Sequence, residues 1–296
     1  MQYWWVAVII ILMAALMVTW AWLLRKNRKA NMITLFVVSF ILLIFKSVQF
    51  GIERSLNHYP VEFSHMSYFI LGATMTVGVK KLRPFAGFCA FISGLAFVLG
   101  GIVSPAPIVR DAENTFNWVT GIIQHEVLLF AGLSIIFNTD KYSIKDIWIP
   151  IVGIAVMFIF SILVYNRILY PDLDVKRHDN MVIIFILTGT LLEKYITHAP
   201  IHIALKILTV VLEMILLGVL LWGFYFVNNK SYDKRIKKYP DFAGNAEEYS
   251  AIALVKYIIK KNNDKKAMLA SSANAQEEIQ QSGGDEVNSK NDEAEK

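Results

Sequence analysis

Ser67, His125 and His65 are the side chains in this 296-residue sequence with the types needed for covalent chemistry. A serine hydroxyl activated by a histidine base can accept an acyl group and pass it on. Ser67 and His125 sit at comparable depth in two different apolar stretches, so the two could meet. His65 is only two residues from Ser67, a spacing that points the pair to nearly opposite sides of a regular helix. No GxSxG turn surrounds Ser67. A second constellation is made of charges. His202, Lys206, Thr209 and Glu213 recur at helical spacing and share one face, as do Lys46, Gln49 and Glu53. Gln124 and Glu126 flank His125, and Asn166 and Arg167 close another apolar run. Lys206 and Glu213 are of the kind used in proton relays. A charge at that depth needs a partner, so Lys46 and Lys206 are expected to pair with Glu213, Glu126 or Glu53. Metal ligation is poorly served. Pro200 separates His198 from His202, and His125–Glu126 lacks the second histidine of HExxH. No cofactor is implied.

The elements that hold these residues are set by composition. Hydrophobic residues make up 55% of the chain and charged residues 18%, against about 25% charged in soluble domains. Mean hydropathy is +0.47. These values exclude a soluble globular enzyme and a disordered chain. The expected fold is all-α, a polytopic membrane bundle of seven transmembrane helices: Tyr3–Leu24, Met32–Phe50, Ser64–Val79, Phe85–Val103, Phe116–Phe137, Ile147–Asn166 and Ala199–Val227. An eighth apolar stretch, Met181–Leu192, is too short to cross alone and reads as a re-entrant or interfacial segment; the alternative is a kinked span through Thr197.

Loop charge gives the orientation. Arg25, Lys26, Arg28 and Lys29, then Lys80, Lys81 and Arg83, then Lys141 and Lys145 mark the cytoplasmic loops. The N-terminus is then outside the cell membrane and the tail inside, with an uncleaved first helix. On this reading five helices place polar groups in the outer half of the bundle, while the inner halves are nearly all apolar. A polar pocket is expected to open outward. Ala86, Ala90 and Gly94 form a small-residue stripe that lets the fourth helix approach a neighbour closely. The single cysteine, Cys89, beside that stripe, reads as a packed apolar residue.

Three segments follow: a transmembrane bundle over 1–229, a basic juxtamembrane region with an interfacial helix over 230–266, and an acidic disordered tail over 267–296. Within the second, Lys256, Lys260 and Lys261 would hold the stretch Glu247–Lys261 on anionic lipid. The net charge of +5 thus points to lipid rather than nucleic acid, with a cytoplasmic protein as the other partner the tail could contact.

The segments VEFSHMSYF, SGLAFVLGGIVSPAP (Ser93–Pro107), IIQHEVLLFAG (Ile122–Gly132) and VYNRIL (Val164–Leu169) carry a resemblance. The stretch from Val61 to about Asn166 resembles the YwaF-type family of bacterial integral membrane proteins, which look related to a eukaryotic multi-pass lipid acyltransferase. The resemblance places His65 on a family histidine, Ser67 on the family's acyl-carrying cysteine, His125 on a second histidine and Asn166 on an asparagine of the sixth helix. The Tyr-containing repeat of that asparagine motif is missing, and serine replaces cysteine at the nucleophile position. The resemblance implies a lipid-facing site with Ser67 as nucleophile or substrate contact, His125 as general base and His65 orienting. Gln124, Asn166, Lys206, Glu213 and Lys46 would contact a phospholipid or other acyl lipid. The rival expectations are a proton-linked small-solute transporter and an accessory membrane protein without enzymatic activity.

Overall fold

A computed structural model describes residues 3–53, 62–110, 115–165 and 199–238, together with most positions between 251 and 268. Every regular element among these residues is helical. The helices are α1 (Trp4–Leu24), α2 (Arg28–Glu53), α3 (Phe63–Val77), α4 (Arg83–Val103), α5 (Ala106–Arg110), α6 (Thr115–Asn138), α7 (Trp148–Tyr165) and α8 (Ala199–Lys238). The chain divides into two compact units, 1–249 and 250–296.

Four stretches, Trp4–Leu24, Arg28–Ile52, Lys80–Val103 and Thr115–Asn138, are long and apolar enough to cross a membrane. Their chemistry is that of lipid-facing helices. In α1 only Val6, Ile10, Met17 and Ala21 are buried, a single seam at helical spacing. Leu12, Leu16 and Leu23 on its other sides are exposed. A helix that is apolar all round while burying so narrow a seam suits a hydrocarbon solvent. The α3 helix has only 15 residues, fewer than the roughly 20 of a typical span. Thus four of the seven expected spans meet the length and composition of a crossing here, and α3, α7 and α8 occupy the other three stretches. The segment Met181–Leu192 lies outside the described residues.

α6 is the axis of the first unit, with α1, α2, α4 and α8 all packed on it. Its tightest partner is α4. A methyl group added at Gly132 would stand 2.6 Å from the Phe91 Cα, and one at Gly94 2.7 Å from the Leu129 Cα. These two backbones therefore touch without intervening side chains, as the small-residue stripe of α4 predicts. Ala86 and Ala90 are buried there too. Cys89 is fully buried, its Sγ 3.9 Å from the Met157 Sδ, which fits its reading as packing. The chain leaves α3 through Gly78, whose φ of 86° is the left-handed turn that glycine adopts without strain.

Trp5 meets Trp118 at one end of the α1–α6 pair, and Asn138 donates to the Ala21 carbonyl at the other, 2.9 Å away. The two helices therefore run parallel. The end at the starts of α1, α3 and α6 is called upper below, and the opposite end lower. α8 extends to Lys238, well past the expected limit of Val227. Its upper half shows only exposed or partly exposed positions among the described side chains, while Leu221, Phe224, Tyr225, Asn228 and Arg235 are buried below. In the second unit the described residues between 251 and 268 are helical, and Ile252, Val255, Ile258 and Ile259 are exposed.

Candidate functional site

The upper ends of α2, α3 and α6 converge on a cluster of polar side chains. Lys46 is buried on α2, and its ammonium donates to the Gln49 Oε1 at 2.9 Å and lies 4.5 Å from the centre of the Tyr68 ring. Such a cation over an aromatic face is attracted by the ring quadrupole. Across from it, the Tyr68 hydroxyl and the His125 Nδ1 are 3.2 Å apart, and the same nitrogen is 2.8 Å from the Gly121 carbonyl oxygen. A carbonyl only accepts, so Nδ1 carries the proton and donates it to Gly121. That tautomer leaves Nε2 as the basic nitrogen. The ring is fixed by stacking on Phe97 of α4, with centroids 4.1 Å apart and planes inclined by 12°.

Ser67 takes a different course. It is fully buried, and its hydroxyl donates to the Phe63 carbonyl at 2.7 Å. The Ser93 hydroxyl of α4 donates to it at 3.4 Å. No hydrogen bond joins Ser67 to His125. Instead α3 brings Tyr68, the next residue, to the histidine. The depth expected for Ser67 and His125 thus matches, while the rotation of α3 presents the tyrosine. His65 lies on the other side, its ring edge-on to Phe50 of α2 at 5.0 Å and its Nε2 3.6 Å from the Glu62 carboxylate. This divergence of His65 and Ser67 follows from their two-residue spacing. Glu62 stands just ahead of α3, and burial holds its carboxyl above the usual range, while the charge of Lys46 pulls it back.

Beside this cluster runs an apolar groove of about 270 Å³ between α2 and α6. Leu42 and Phe45 line one wall, Ile123 and Val127 the other, and Gln124 is its one amide. On α2 the lining stops one residue before Lys46. Glu126, on the same helix as Gln124, has no exposed surface, and neither carboxyl oxygen accepts a hydrogen bond. The expected Lys46–Glu126 pair is therefore not formed, because Lys46 turns toward Gln49 and Tyr68 instead. Lys206 and Glu213 are helical positions of α8 whose side chains lie outside the described set, and Asn166 falls outside the described residues altogether. Among the described residues, no three His, Cys, Asp or Glu side chains gather to hold a metal ion.

At the lower end a polar network gathers just beyond the apolar inner halves of the expected spans. The last carbonyls of α6 have no partners within their own helix, and side chains from elsewhere take them up. Asn228 of α8 donates to the Ile136 and Asp140 carbonyls at 3.0 and 3.3 Å, and accepts from the Tyr142 N–H at 3.0 Å. Arg235 donates to the Phe137 and Thr139 carbonyls. Asn138 reaches back to α1 and also donates to Asn31 of α2 at 3.1 Å. Asp140 is shared by Arg28 and Arg83. Burial chiefly, and then Arg28, push Arg235 down to about 10, so it stays charged at neutral pH. The sequence reading missed this network because Asn31, Asn138 and Asn228 stand just beyond the apolar runs, where polar residues look like ordinary flanks. Tyr68 was missed because a tyrosine in a span reads as packing; its position next to Ser67 was the available signal.

The chain matches no protein-family profile, curated protein or solved structure. Any reading of its function therefore stands on this geometry.

Proposed function

We propose that the protein is a seven-span cell-membrane protein, its N-terminus outside, that binds a membrane lipid at the upper end. The acyl chain lies in the groove between α2 and α6, and the polar headgroup meets Gln124, Lys46 and the Tyr68–His125 pair. The observation that carries this reading is an apolar groove with the buried Gln124 in its lining and Lys46 next in sequence to its α2 wall, the pattern of a site for an amphipathic ligand. The small volume suits one chain better than a whole diacyl lipid. The resemblance of Val61 to about Asn166 to YwaF-type proteins would agree with it. A diazirine-bearing phospholipid incorporated with the purified protein should label groove residues more strongly than Val156 of α7, an ordinary exposed position. Ile123→Trp, which fills the groove, should abolish the excess. Equal labelling at both places would reduce the groove to ordinary lipid contact.

Acyl transfer is the stronger form of the same proposal. In it Ser67 attacks the acyl carbonyl while His125 Nε2 takes the hydroxyl proton and returns it to the glycerol oxygen as the ester bond breaks, so that a lysophospholipid leaves. The hydroxyl of a second lysophospholipid then takes the acyl group and restores the Ser67 hydroxyl, and His65 helps to orient the headgroup. The Ser67 hydroxyl must first leave the Phe63 carbonyl and swing toward His125. Exchange of labelled acyl chains between phospholipids would show the activity, and equal exchange by Ser67→Ala would remove Ser67 from the mechanism.

Glu126 favours a second reading, proton-linked solute movement. A fully buried carboxyl with no hydrogen-bond partner is a natural station for a proton inside a membrane protein. Solute-dependent proton uptake into proteoliposomes that is lost in Glu126→Gln would replace the lipid reading with this one.

A further inference from the structure

A cavity of about 410 Å³ opens at the lower end between α1, α6 and α8. Five cations line it: Arg25 from α1's end, and Lys230, Lys234, Arg235 and Lys238 from α8. No carboxylate is among the described lining residues. The acids nearest in sequence are committed elsewhere, Asp140 to Arg28 and Arg83 and Asp233 to Lys141. Arg25 lies 3.2 Å over the Trp22 ring, and Lys230 5.6 Å over the Phe226 ring. These are contacts with aromatic faces and not with counter-charges. Among the described residues no ion pair holds Arg25, Lys230 or Lys234. Arg235 forms a fixed floor, because its guanidinium is buried and held by α6 carbonyls.

So many like charges around one cavity repel one another, and an anion placed among them would relieve that repulsion. The remaining lining is apolar. Trp22, Phe137 and Val227 face the same space, with Trp22 and Val227 also exposed on the helix surfaces where lipid would lie. A free inorganic anion has no use for that surface, whereas a lipid brings both an anionic group and a greasy one.

We propose that this basic cavity binds the phosphate-bearing headgroup of an anionic phospholipid, with its glycerol and upper acyl carbons against Trp22, Phe137 and Val227. The site is separate from the upper groove and does not depend on the reading given to that groove. Pockets of basic residues between transmembrane helices are suited to such headgroups.

The test is native mass spectrometry of the full-length protein released from detergent and titrated with phosphatidylglycerol or, in parallel, phosphatidylcholine. One equivalent of phosphatidylglycerol should be retained in preference to phosphatidylcholine. Arg25→Gln/Lys230→Gln/Lys234→Gln should weaken that retention by roughly a hundredfold, from about fivefold per cation near a lipid surface. Lys80→Gln/Lys81→Gln/Lys145→Gln removes the same charge from exposed positions outside the cavity and should leave retention unchanged. All six side chains are at least partly exposed, and circular dichroism of both variants confirms folding. Equal loss in the two triple variants would overturn the proposal in favour of diffuse attraction. Displacement of the lipid by inorganic phosphate at the same concentration would overturn its lipid identity. Indifference between the two lipids would overturn it outright.

Discussion

Asn228 at the lower end spends both amide hydrogens and one acceptance by its amide oxygen on backbone groups around the end of α6. At the upper end, Lys46 meets an amide and an aromatic face, His125 keeps Nε2 as an acceptor, and the Glu126 carboxyl has no hydrogen-bond partner. Both sets are buried polar groups in a largely apolar bundle. The lower set is directed chiefly at helix ends, although the buried Asn31 Nδ2 and Asn138 Oδ1 there find no hydrogen-bond partner. The upper set joins side chains to one another and to the Gly121 carbonyl, and it keeps the Glu126 carboxyl and the His125 Nε2 as acceptors, which a ligand requires. Burial of polar groups thus identifies neither stability nor function until their partners are counted.

Substitutions can break this contrast. Asn228→Leu should have the largest effect on stability. It strands two carbonyls and the Tyr142 N–H, each costing on the order of 1–3 kcal/mol if left unmet, so a loss of about 3 kcal/mol in detergent unfolding is expected. Lipid labelling of the upper groove should persist wherever the variant remains folded. Tyr68→Phe should do the reverse, costing about 1 kcal/mol for one hydrogen bond while lowering headgroup-dependent labelling severalfold. If Tyr68→Phe proved the more destabilising of the two, the division between the ends would fail.

Acidity separates the ends further. Burial holds Glu62 above its ordinary value of 4.5, so the folded chain grips that proton more tightly than the unfolded chain does. The stability this brings is fully present below pH 4.5 and is lost as pH rises through the folded value. Thermal unfolding over that window should show the decline, and Glu62→Gln should flatten it. Arg235 remains charged up to about 10, so the lower end should not respond there. The smallest effect belongs to the exposed Lys141–Asp233 pair at 2.9 Å. Asp233→Asn should shift stability by less than about 1 kcal/mol, and a larger shift would mean that the lower network extends to its surface.

Long apolar runs made α1, α2, α4 and α6 legible to within four residues at each end, because a span must be continuously greasy. The end of α8 was not legible in the same way. Hydropathy reports where lipid stops, whereas the helix continues through Asn228 and Arg235 because its side chains there still have carbonyls to meet. For the candidate site, sequence supplied the level of His125 but not the identity of its partner. One residue of helix rotation decides between Ser67 and Tyr68, and that rotation is set by how α3 packs against α2 and α4 together. The lower basic cavity was illegible for a different reason: Arg25 and Lys234 are brought together only by the packing of the first and last helices of the bundle.

The clasp of Arg235 on the Phe137 carbonyl joins residues 98 positions apart. At a synthesis rate of roughly 5–20 residues per second, α6 emerges several seconds before the side chain that closes its end. The bundle is therefore assembled with one seam unfinished, and the last helix acts as the keystone. A ribosome stalled after α7 would leave a nascent chain with bare carbonyls at the membrane surface, a feature that quality-control machinery could recognise.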